Sequence, residues 1–404
     1  LNVSNNRFIR TTDAGHEQRA KVIWKALEKD IYKDKYKGWY CTGDEAFFSE
    51  KEVKANNGVC PNHNRPYEQI EEENYFFKLS NYTDAINKAI VTGEYFIIPE
   101  TRRNEILGLL KNGLEDISIS RPKDKIGWGI PVPGDPKQVM YVWFEALMNY
   151  ITVLGYPEHE DFKNFWPAQV QVIGKDILRF HAAIWPAMLM SLNVSLPKVL
   201  YVHGFITVDG KKMSKTLKNV IAPSEIVDKY GVDPFRYYFL RHVPSYDDGD
   251  FSWERMESVY NNELANELGN AVQRTTALIV KHQQGQIGDL PEVGHDIAQY
   301  QEAFGACRFD RALDEVWEQV RGLNQYIDEE KPWVIATDGD AEHLREVLAY
   351  QVSSLLNIAT LLEPFMPETA IKIKAIFSDG VAKPIKETLF PKHETKPKPK
   401  VVAK

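Results

Sequence analysis

The spacing of apolar residues changes several times along the chain. After a capping pair at Thr12-Asp13, apolar residues recur at helical spacing as far as about residue 30, which predicts an amphipathic helix with no strand before it. From Ile31 to about Ser118, short aromatic segments such as Tyr95-Phe-Ile-Ile-Pro99 indicate an inserted group of small strands and helices. From about Pro223 onward the pattern becomes helical.

The segment before Pro223 alternates strand and helix patterns. Val170–Gly174 predicts a strand, and Lys175-Asp176 opens a helix after it. Val199–Val202 predicts a buried parallel strand, and Asp209-Gly210 predicts the turn that ends the next extended segment. This order of strand, helix and strand indicates a doubly wound α/β sheet.

Two apolar stripes in this segment are candidates for a pocket wall. One contains Trp143, Ala146, Leu147 and Tyr150, and the other contains Ile177, Phe180, His181, Ile184, Trp185 and Met188. Most such stripes are core packing, but a histidine within a stripe, one turn past a strand end, favours a pocket.

Three long helices are predicted in the last part. The first has Leu264, Leu268, Ala271, Thr275 and Leu278 on one face and Asn266, Asn270 and Arg274 on another. The second contains Leu313, Val316, Trp317, Val320, Leu323 and Ile327 and ends at Lys331-Pro332. The third contains Leu344, Val347, Leu348, Leu355, Ile358 and Leu362 and ends before Pro364. These helices indicate an antiparallel bundle, followed from residue 392 to 404 by a Pro/Lys tail that we expect to be disordered.

Composition limits the possible functions. The 404 residues suffice for two or three domains, and 43% hydrophobic with 26% charged residues is ordinary for a globular protein. Because the net charge is −8, any RNA contact must depend on a local group of residues. Three cysteines, Cys41, Cys60 and Cys307, suit a reducing cytoplasm, and we find no signal peptide and no apolar run that could span a bilayer.

A lysine-rich loop follows the turn at Asp209-Gly210. In Lys212-Met-Ser-Lys-Thr216, two lysines can gather the oxygens of a triphosphate and stabilise the charge that develops as a phosphoryl or adenylyl bond breaks. The alternative is a solvated basic turn.

A possible metal site lies in the inserted segment. Cys41-x-x-Asp44 and Cys60-Pro-Asn-His63 have the spacing of a zinc knuckle, in which two tight turns bring four ligands together. Asp44 stands where a cysteine is usual. The alternative is therefore a former knuckle that no longer binds metal and is held together by ordinary packing.

The chain resembles the class I aminoacyl-tRNA synthetases, and within that class the methionyl-tRNA synthetases, from its start to about Pro391. The motifs that carry the resemblance are the KMSKS-like loop, Ile-Gly-Lys-Asp-x-x-x-Phe-His from Ile173, Val-Trp-Phe-Glu-Ala from Val142, Trp-Gly-Ile-Pro-Val-Pro-Gly-Asp from Trp128, and Lys331-Pro-Trp333. The resemblance implies ATP-dependent activation of methionine and its transfer to tRNA(Met), with Mg²⁺ accompanying the ATP.

The resemblance also implies roles for individual residues. Methionine would be bound by Trp143, Ala146, Leu147, Tyr150, Ile177, Phe180, His181 and Trp185. ATP would be bound by Gly174, Asp176, His203, Ile206 and Ser214, with Lys212 and Lys215 as catalytic residues. The anticodon would be read by Asn270, Arg274 and Trp333, although Trp333 could instead be a core residue. A zinc ion would be held by Cys41, Asp44, Cys60 and His63.

The implied architecture is a partial Rossmann-like catalytic domain with an inserted connective domain, followed by an all-α anticodon-binding bundle. The expected boundaries are 1–34 for the first catalytic remnant, 35–118 for the insertion, 119–208 for the second catalytic half, 209–258 for the loop and linking helices, 259–391 for the bundle and 392–404 for the tail.

The family's other signature, His-Ile-Gly-His, is not found in this chain, and neither is the acidic residue expected near the methionine ammonium group. We therefore expect a fragment that lacks its beginning and is inactive alone.

Three alternatives remain open. A synthetase for leucine, isoleucine or valine would carry a far larger insertion. A non-catalytic tRNA-binding module is opposed by the retention of both loop lysines. A nucleotide-binding oxidoreductase needs a Gly-x-Gly-x-x-Gly fingerprint, which the sequence lacks.

Overall fold

The computed structural model describes most of the chain. Residues outside the description are 44–45, 49, 62–63, 214–218, 294–295 and 393–404, and only the backbone is described at 36–37, 46–47, 51 and 70–72. The tail predicted to be disordered therefore lies almost wholly outside the described residues. The chain forms two compact units: Ser4–Val202, and His203–Lys404 together with Leu1–Val3. This division falls a few residues before the boundary expected at 208.

The first unit is an α/β fold. Its elements are α1 (Ala14–Ala26), β1 (Ile31–Cys41), β2 (Ala46–Phe48), α2 (Glu50–Ala55), β3 (Glu68–Phe77), α3 (Thr83–Thr92), β4 (Phe96–Ile98), α4 (Glu100–Leu110), β5 (Ile117–Ser118), β6 (Ser120–Pro122), β7 (Pro131–Val132), β8 (Asp135–Met140), α5 (Val142–Leu147), α6 (Asn149–Thr152), α7 (Glu160–Phe165), β9 (Val170–Gly174), α8 (Trp185–Ser191) and β10 (Val199–His203). The predicted first helix is confirmed as α1, which buries Ala20, Ile23 and Trp24.

A three-stranded sheet in the order β4, β10, β9 is the centre of this unit. The predicted strands β9 and β10 are confirmed, and β10 runs parallel to β4, with Leu200 opposite Ile97. The assignment of Tyr95-Phe-Ile-Ile-Pro99 to the insertion was therefore wrong, because β4 belongs to the parallel sheet. Three apolar residues ended by a proline give no local sign of a pairing partner a hundred residues later.

The inserted segment forms a separate antiparallel sheet in the order β2, β1, β3, β5. Strands β1 and β3 pair over ten residues, from Ile31 opposite Phe77 to Tyr40 opposite Glu68. A further small sheet has the order β6, β8, β7, and its β7–β8 hairpin occupies the Pro/Gly-rich approach to α5. The sequence analysis did not predict this hairpin.

A continuous helical segment follows β9, as predicted, but its geometry changes along its length. It begins as a 3₁₀ turn at Lys175–Ile177, widens to a π-type turn at Phe180–Ile184 and continues as α8. The π-type turn is wider than an α-helical turn, so residues outside a simple helical stripe are also buried here, including Ala182 and Ala183.

The second unit combines a small sheet with a helical bundle. Its elements are β11 (Ile206–Val208), β12 (Lys211–Lys212), α9 (Pro223–Tyr230), α10 (Val232–Arg241), β13 (Gly249–Phe251), α11 (Trp253–Val259), α12 (Asn270–His282), α13 (Ala298–Gly305), α14 (Phe309–Glu330), α15 (Pro332–Asp338), α16 (Ala341–Leu362) and α17 (Pro367–Ile376). A π-type segment, Tyr260–Gly269, joins α11 to α12. The prediction of purely helical structure after Pro223 missed β13, which pairs in parallel with β11.

The three predicted bundle helices are confirmed. The apolar residues named for α14 and α16 are all buried, as are Leu264, Leu268, Ala271 and Thr275 of the first helical face. Lys331 ends α14 in a left-handed conformation (φ 49°), and Pro332 then starts α15 in a new direction. None of the described helices is both long enough and apolar enough to cross a membrane.

Candidate functional site

The segment α5–α6 has a buried side and an accessible side. Phe144, Glu145 and Leu147 are buried, whereas Trp143, Ala146 and Tyr150 are only partly buried. Three of the four residues of this segment that are predicted to line the methionine pocket therefore reach solvent, which a wholly packed core stripe would not allow. Leu147 is 1% exposed and lies in the core.

Aromatic rings bring the two predicted stripes together. The Trp143 ring stacks on the Phe180 ring, with centroids 4.4 Å apart and planes inclined by 21°. The Tyr150 ring contacts Trp185 at 5.9 Å. Trp185 is fully buried, and its Nε1 has no hydrogen-bond partner among the described residues. Trp185 therefore packs behind Tyr150 instead of forming accessible surface.

His181 links the two stripes through its ring. The carbonyl of Ile177 can only accept, so His181 Nδ1, 3.0 Å away, carries the proton and donates to it. His181 Nε2 lies 2.8 Å from the Tyr150 hydroxyl and, when the ring is neutral, accepts a hydrogen bond from it. Burial lowers the pKa of His181 and raises the pKa of Tyr150. The pair is therefore uncharged near neutral pH.

A second buried histidine was missed by the sequence analysis as a functional residue. His16 Nε2 lies 2.8 Å from Glu145 Oε2, and His16 Nδ1 lies 2.8 Å from Thr152 Oγ1. All three residues are at most 4% exposed. One imidazole therefore ties α1 to both α5 and α6, the helices that carry Trp143 and Tyr150. The signal available in the sequence was Glu145, an acidic residue that lies between the apolar residues Phe144 and Ala146 of a predicted helix.

Two of the predicted ATP-binding residues lie at the end of β9. Gly174 is the last residue of the strand, and Asp176 lies exposed in the 3₁₀ turn that follows. An exposed carboxylate just after the end of a sheet strand is available to accept hydrogen bonds from ribose hydroxyls.

The other two described ATP-binding candidates belong to the second unit. His203 is exposed, and its Nδ1 lies 2.8 Å from the carbonyl oxygen of Gly204. A Cβ on Gly204 would lie 2.3 Å from the backbone oxygen of Asp247, so no other residue fits there. Ile206 begins β11 and lines an apolar cavity of about 240 Å³ with Met213.

The lysine-rich loop follows a turn, as predicted, and that turn closes a tight hairpin. Asp209 and Gly210 both have positive φ (50° and 72°) and join β11 to β12. Asp250, which the sequence analysis missed, braces this hairpin, because it accepts hydrogen bonds from Thr207 Oγ1 (2.6 Å) and from Gly210 N (2.8 Å). These two bonds lower the pKa of the Asp250 carboxyl.

Lys212 ends β12 as an exposed side chain, with its Nζ 5.2 Å from the centre of the Phe205 ring. Asn219 Nδ2 donates to the Lys212 carbonyl oxygen at 3.2 Å, which joins the two ends of the loop. Ser214 and Lys215, the other two predicted loop residues, lie outside the described residues.

Two of the residues predicted to read the anticodon, Arg274 and Trp333, contact each other on the bundle. The guanidinium of Arg274 lies over the Trp333 ring at 4.9 Å, and its Nη2 is 3.2 Å from Asp328 Oδ1. Asn270 is exposed one turn before Arg274. Trp333 is 40% exposed, so the alternative in which it fills the core is wrong.

Half of the predicted zinc ligands can be located. Cys41 and Cys60 are fully buried in one small cluster with Val53 and Tyr67. Burial raises the pKa of the Tyr67 hydroxyl, and both cysteines raise it further. Two thiols in one cluster are the donor type of half of a tetrahedral zinc site. Asp44 and His63 lie outside the described residues, and no group of three metal-binding side chains occurs in the part of the chain that is described.

Comparison with known proteins gives consistent matches. The family model for class I (M) tRNA synthetases matches residues 1–69 and 62–276. The methionine–tRNA ligase of Caldanaerobacter subterraneus subsp. tengcongensis is 45% identical over 389 residues, covering 92% of this chain and 60% of that protein. The methionine–tRNA ligase of Brucella melitensis biotype 1 is 40% identical, and the match covers 95% of this chain and 79% of that protein. The chain thus spans about 60% of the length of the first curated relatives that it matches.

Solved structures agree with these relatives. Mycobacterium tuberculosis methionyl-tRNA synthetase bound by methionyl-adenylate matches with a TM-score of 0.88 and 36% identity, covering 96% of this chain and 84% of that one. The apo form of the same synthetase matches with a TM-score of 0.86, and the match covers 98% of this chain and 85% of that one. The chain therefore belongs to the class I (M) tRNA synthetases, the methionyl-tRNA synthetase family.

Proposed function

We propose that the full-length protein activates methionine with ATP to form methionyl-adenylate and then transfers the methionyl group to tRNA(Met). The observation that carries this proposal is the accessible aromatic face with an uncharged His181–Tyr150 pair at its base. The relatives are methionine–tRNA ligases, and one solved relative was crystallised with methionyl-adenylate.

The proposed methionine site suits a thioether. A methionine side chain is flexible and polarisable, and it packs well against aromatic rings such as the stacked pair Trp143 and Phe180. A neutral imidazole and a phenol place no charge against the apolar side chain, so the site has no desolvated charge to repel it. Branched aliphatic side chains are shorter and would leave part of the aromatic face uncovered, which favours methionine over leucine, isoleucine and valine.

For ATP we propose separate roles on the two units. Asp176 would accept from the ribose, and Gly174, His203 and Ile206 would surround the adenosine. Lys212, with Lys215 and Ser214, would bind the triphosphate and stabilise the pyrophosphate as it leaves. Mg²⁺ would accompany the phosphates as a counter-ion. Supporting this proposal, Lys212 is exposed at the end of a hairpin that Asp250 holds.

For tRNA we propose that the exposed Trp333 ring stacks an unpaired anticodon base, while Arg274 and Asn270 bind base edges. The contacts of Arg274 with Asp328 and with the ring fix the guanidinium before RNA arrives, so less side-chain freedom is lost on binding. Zinc bound by Cys41, Asp44, Cys60 and His63 remains part of the proposal. The cytoplasm is the proposed location, because the three cysteines are all free thiols.

The test is ATP–pyrophosphate exchange by the full-length protein with single amino acids. We expect methionine to support exchange with a kcat/KM at least a hundredfold above leucine, isoleucine and valine. Preference for one of those three would reject the methionine site. Binding of tRNA without any exchange would instead establish the non-catalytic module.

A further inference from the structure

The helix that carries His181 contains one carbonyl that its own backbone does not satisfy. Within the π-type turn Phe180–Ile184, the N–H of Trp185 donates to the Phe180 carbonyl, five residues before it. The next bond of this pattern would join residue 186 to the His181 carbonyl, but residue 186 is a proline and has no N–H. The π-type pattern therefore leaves the His181 carbonyl without a donor from the described helix.

The hydroxyl of Tyr95 supplies the missing donor. Tyr95 Oη lies 2.8 Å from the His181 carbonyl oxygen, and because a carbonyl can only accept, the hydroxyl donates. Tyr95 is fully buried, and burial raises the pKa of its hydroxyl, so the hydroxyl keeps its proton near neutral pH. A buried carbonyl without a partner is costly, so this hydrogen bond stabilises the π-type turn.

Tyr95 reaches this position from a fixed backbone. Gly93 caps α3 in a left-handed conformation (φ 79°), and the N–H of Tyr95 then bonds back to the Ala89 carbonyl at 3.0 Å. The next residue, Phe96, begins β4, and its N–H bonds to the Lys198 carbonyl at 3.0 Å. The helix before Tyr95 and the strand after it therefore both fix the direction in which the ring enters the core.

The π-type turn carries two residues of the proposed methionine site. The Phe180 ring stacks on Trp143 with centroids 4.4 Å apart, and His181 Nε2 lies 2.8 Å from the Tyr150 hydroxyl. Both contacts run from the turn to the segment α5–α6. The accessible aromatic face therefore depends on the direction in which this turn points its side chains.

Loss of the Tyr95 hydroxyl would favour a different helical turn. The N–H of Trp185 could then donate to the His181 carbonyl, four residues before it, which is the ordinary α-helical bond. Because an α-helix has 3.6 residues per turn, a shift of one residue rotates the side chains before the shift by about 100° relative to those after it. Such a rotation would separate the Phe180 ring from its partner on α5.

We propose that Tyr95 is a positioning residue for methionine binding, whose hydroxyl keeps the helix in the π-type turn that presents Phe180 and His181 to the substrate. Tyr95 acts through the His181 carbonyl and does not itself line the accessible face, since it is fully buried. The inference rests on the proposed activation of methionine. Methionine would bind only the molecules that have the π-type turn, so the methionine KM rises by the factor by which that fraction falls.

The experiment compares Tyr95→Phe with Tyr82→Phe in the full-length protein. Each substitution removes one hydroxyl and keeps the ring, and the Tyr82 hydroxyl donates to Asp30 Oδ2 at 2.7 Å, outside the π-type turn. In pyrophosphate exchange, we expect Tyr95→Phe to raise the methionine KM about tenfold, with kcat and the ATP KM within about twofold of wild type. Tenfold corresponds to about 1.4 kcal/mol, which is within the cost of leaving a buried acceptor unsatisfied. Tyr82→Phe should leave all three parameters within about twofold.

A second pair of variants tests whether the hydroxyl acts through the carbonyl. Pro186→Ala gives residue 186 an N–H, which can donate to the His181 carbonyl in the π-type pattern. In the Pro186→Ala background, Tyr95→Phe should therefore raise the methionine KM by no more than about twofold, because the carbonyl keeps a donor. The two substitutions are thus expected to be non-additive, as for residues that share one partner.

Three results would overturn the inference. The methionine KM of Tyr95→Phe could equal that of wild type, even if the melting temperature falls, and Tyr95 would then be structural only. The effect could fall on kcat alone, which would exclude a role in binding. It could also be tenfold with and without Pro186, so that the carbonyl would not be the link. An active wild type with an unaltered Tyr95→Phe variant removes only the role of Tyr95, whereas a wild type without methionine-dependent exchange removes the proposed function itself.

Discussion

Removing His16 should disturb the proposed methionine site indirectly, because His16 supports the helices of that site and is not among the residues proposed to contact the substrate. His16→Ala leaves the Glu145 carboxylate and the Thr152 hydroxyl buried without their shared partner. Breaking a buried pair by deleting one member costs about 3 to 5 kcal/mol. For a unit of about 200 residues, 1 kcal/mol corresponds to about 2 to 4 °C in melting temperature. We therefore expect the unit to melt about 6 to 20 °C lower.

A loss of stability alone does not show positioning, so the assay needs a second readout. If His16 holds α5 and α6 in place, the methionine KM in pyrophosphate exchange should rise more than kcat falls, because the accessible face formed by Trp143 and Tyr150 loosens. Gln18→Ala is the matched control, since Gln18 is exposed on the same helix. The double variant His16→Ala/Glu145→Ala should lose less free energy of unfolding than the two single variants lose together, because the two residues interact directly.

Two outcomes would refute this reasoning. His16→Ala could melt within about 2 °C of Gln18→Ala, which would mean that the buried pair contributes nothing. It could also melt lower while the methionine KM, measured well below the new melting temperature, stays unchanged. His16 would then be structural only.

Four further predictions follow from the other sites. Lys215→Ala should slow methionine activation on the order of a hundredfold with little change in methionine binding, as for a transition-state contact. Because burial holds the pKa of His181 below its ordinary 6.5, stability should fall as pH drops below 6.5, and the methionine KM should rise there once Nε2 is protonated and can no longer accept from the Tyr150 hydroxyl. Trp333→Ala should cost about 1 to 3 kcal/mol of tRNA affinity through lost stacking. Purified protein should contain about one equivalent of zinc and lose it on Cys60→Ser.

Each of these predictions has a result that contradicts it. A Lys215→Ala effect confined to methionine affinity would remove the lysine from the transition state. A methionine KM that stays flat over the pH range in which stability falls would place His181 outside the site. Equal slowing of normal and anticodon-altered tRNA by Trp333→Ala would count against base reading. Metal analysis without zinc would leave Cys41 and Cys60 as core residues.

Elements with a local signature could be predicted from the sequence. The bundle helix α14 has six apolar residues at helical spacing and a proline just after its end, and the turn at Asp209-Gly210 requires positive φ, which these two residues tolerate. Both signals lie within a few residues of the element that they predict. The stripes containing Trp143 and His181 were found for the same reason.

Features that depend on distant partners could not be predicted. Strand β4 is three residues long and is defined by β10, and β13 is defined by β11. The bonds of His16 join residues 129 and 136 positions apart, and Asp250 braces a hairpin 40 residues before it. Helical periodicity reports which residues are buried, but it does not report which polar groups meet inside the fold.

The central claim is that the accessible aromatic face and the bundle surface serve one reaction, the charging of tRNA(Met) with methionine. The most direct measurement is the incorporation of radiolabelled methionine into purified tRNA(Met) by the full-length protein with ATP. The account predicts charging that Trp333→Ala reduces through tRNA and that His181→Ala reduces through the methionine KM. Tight binding of tRNA(Met) with no methionine incorporated, under conditions in which a known methionyl-tRNA synthetase charges the same tRNA, would contradict it.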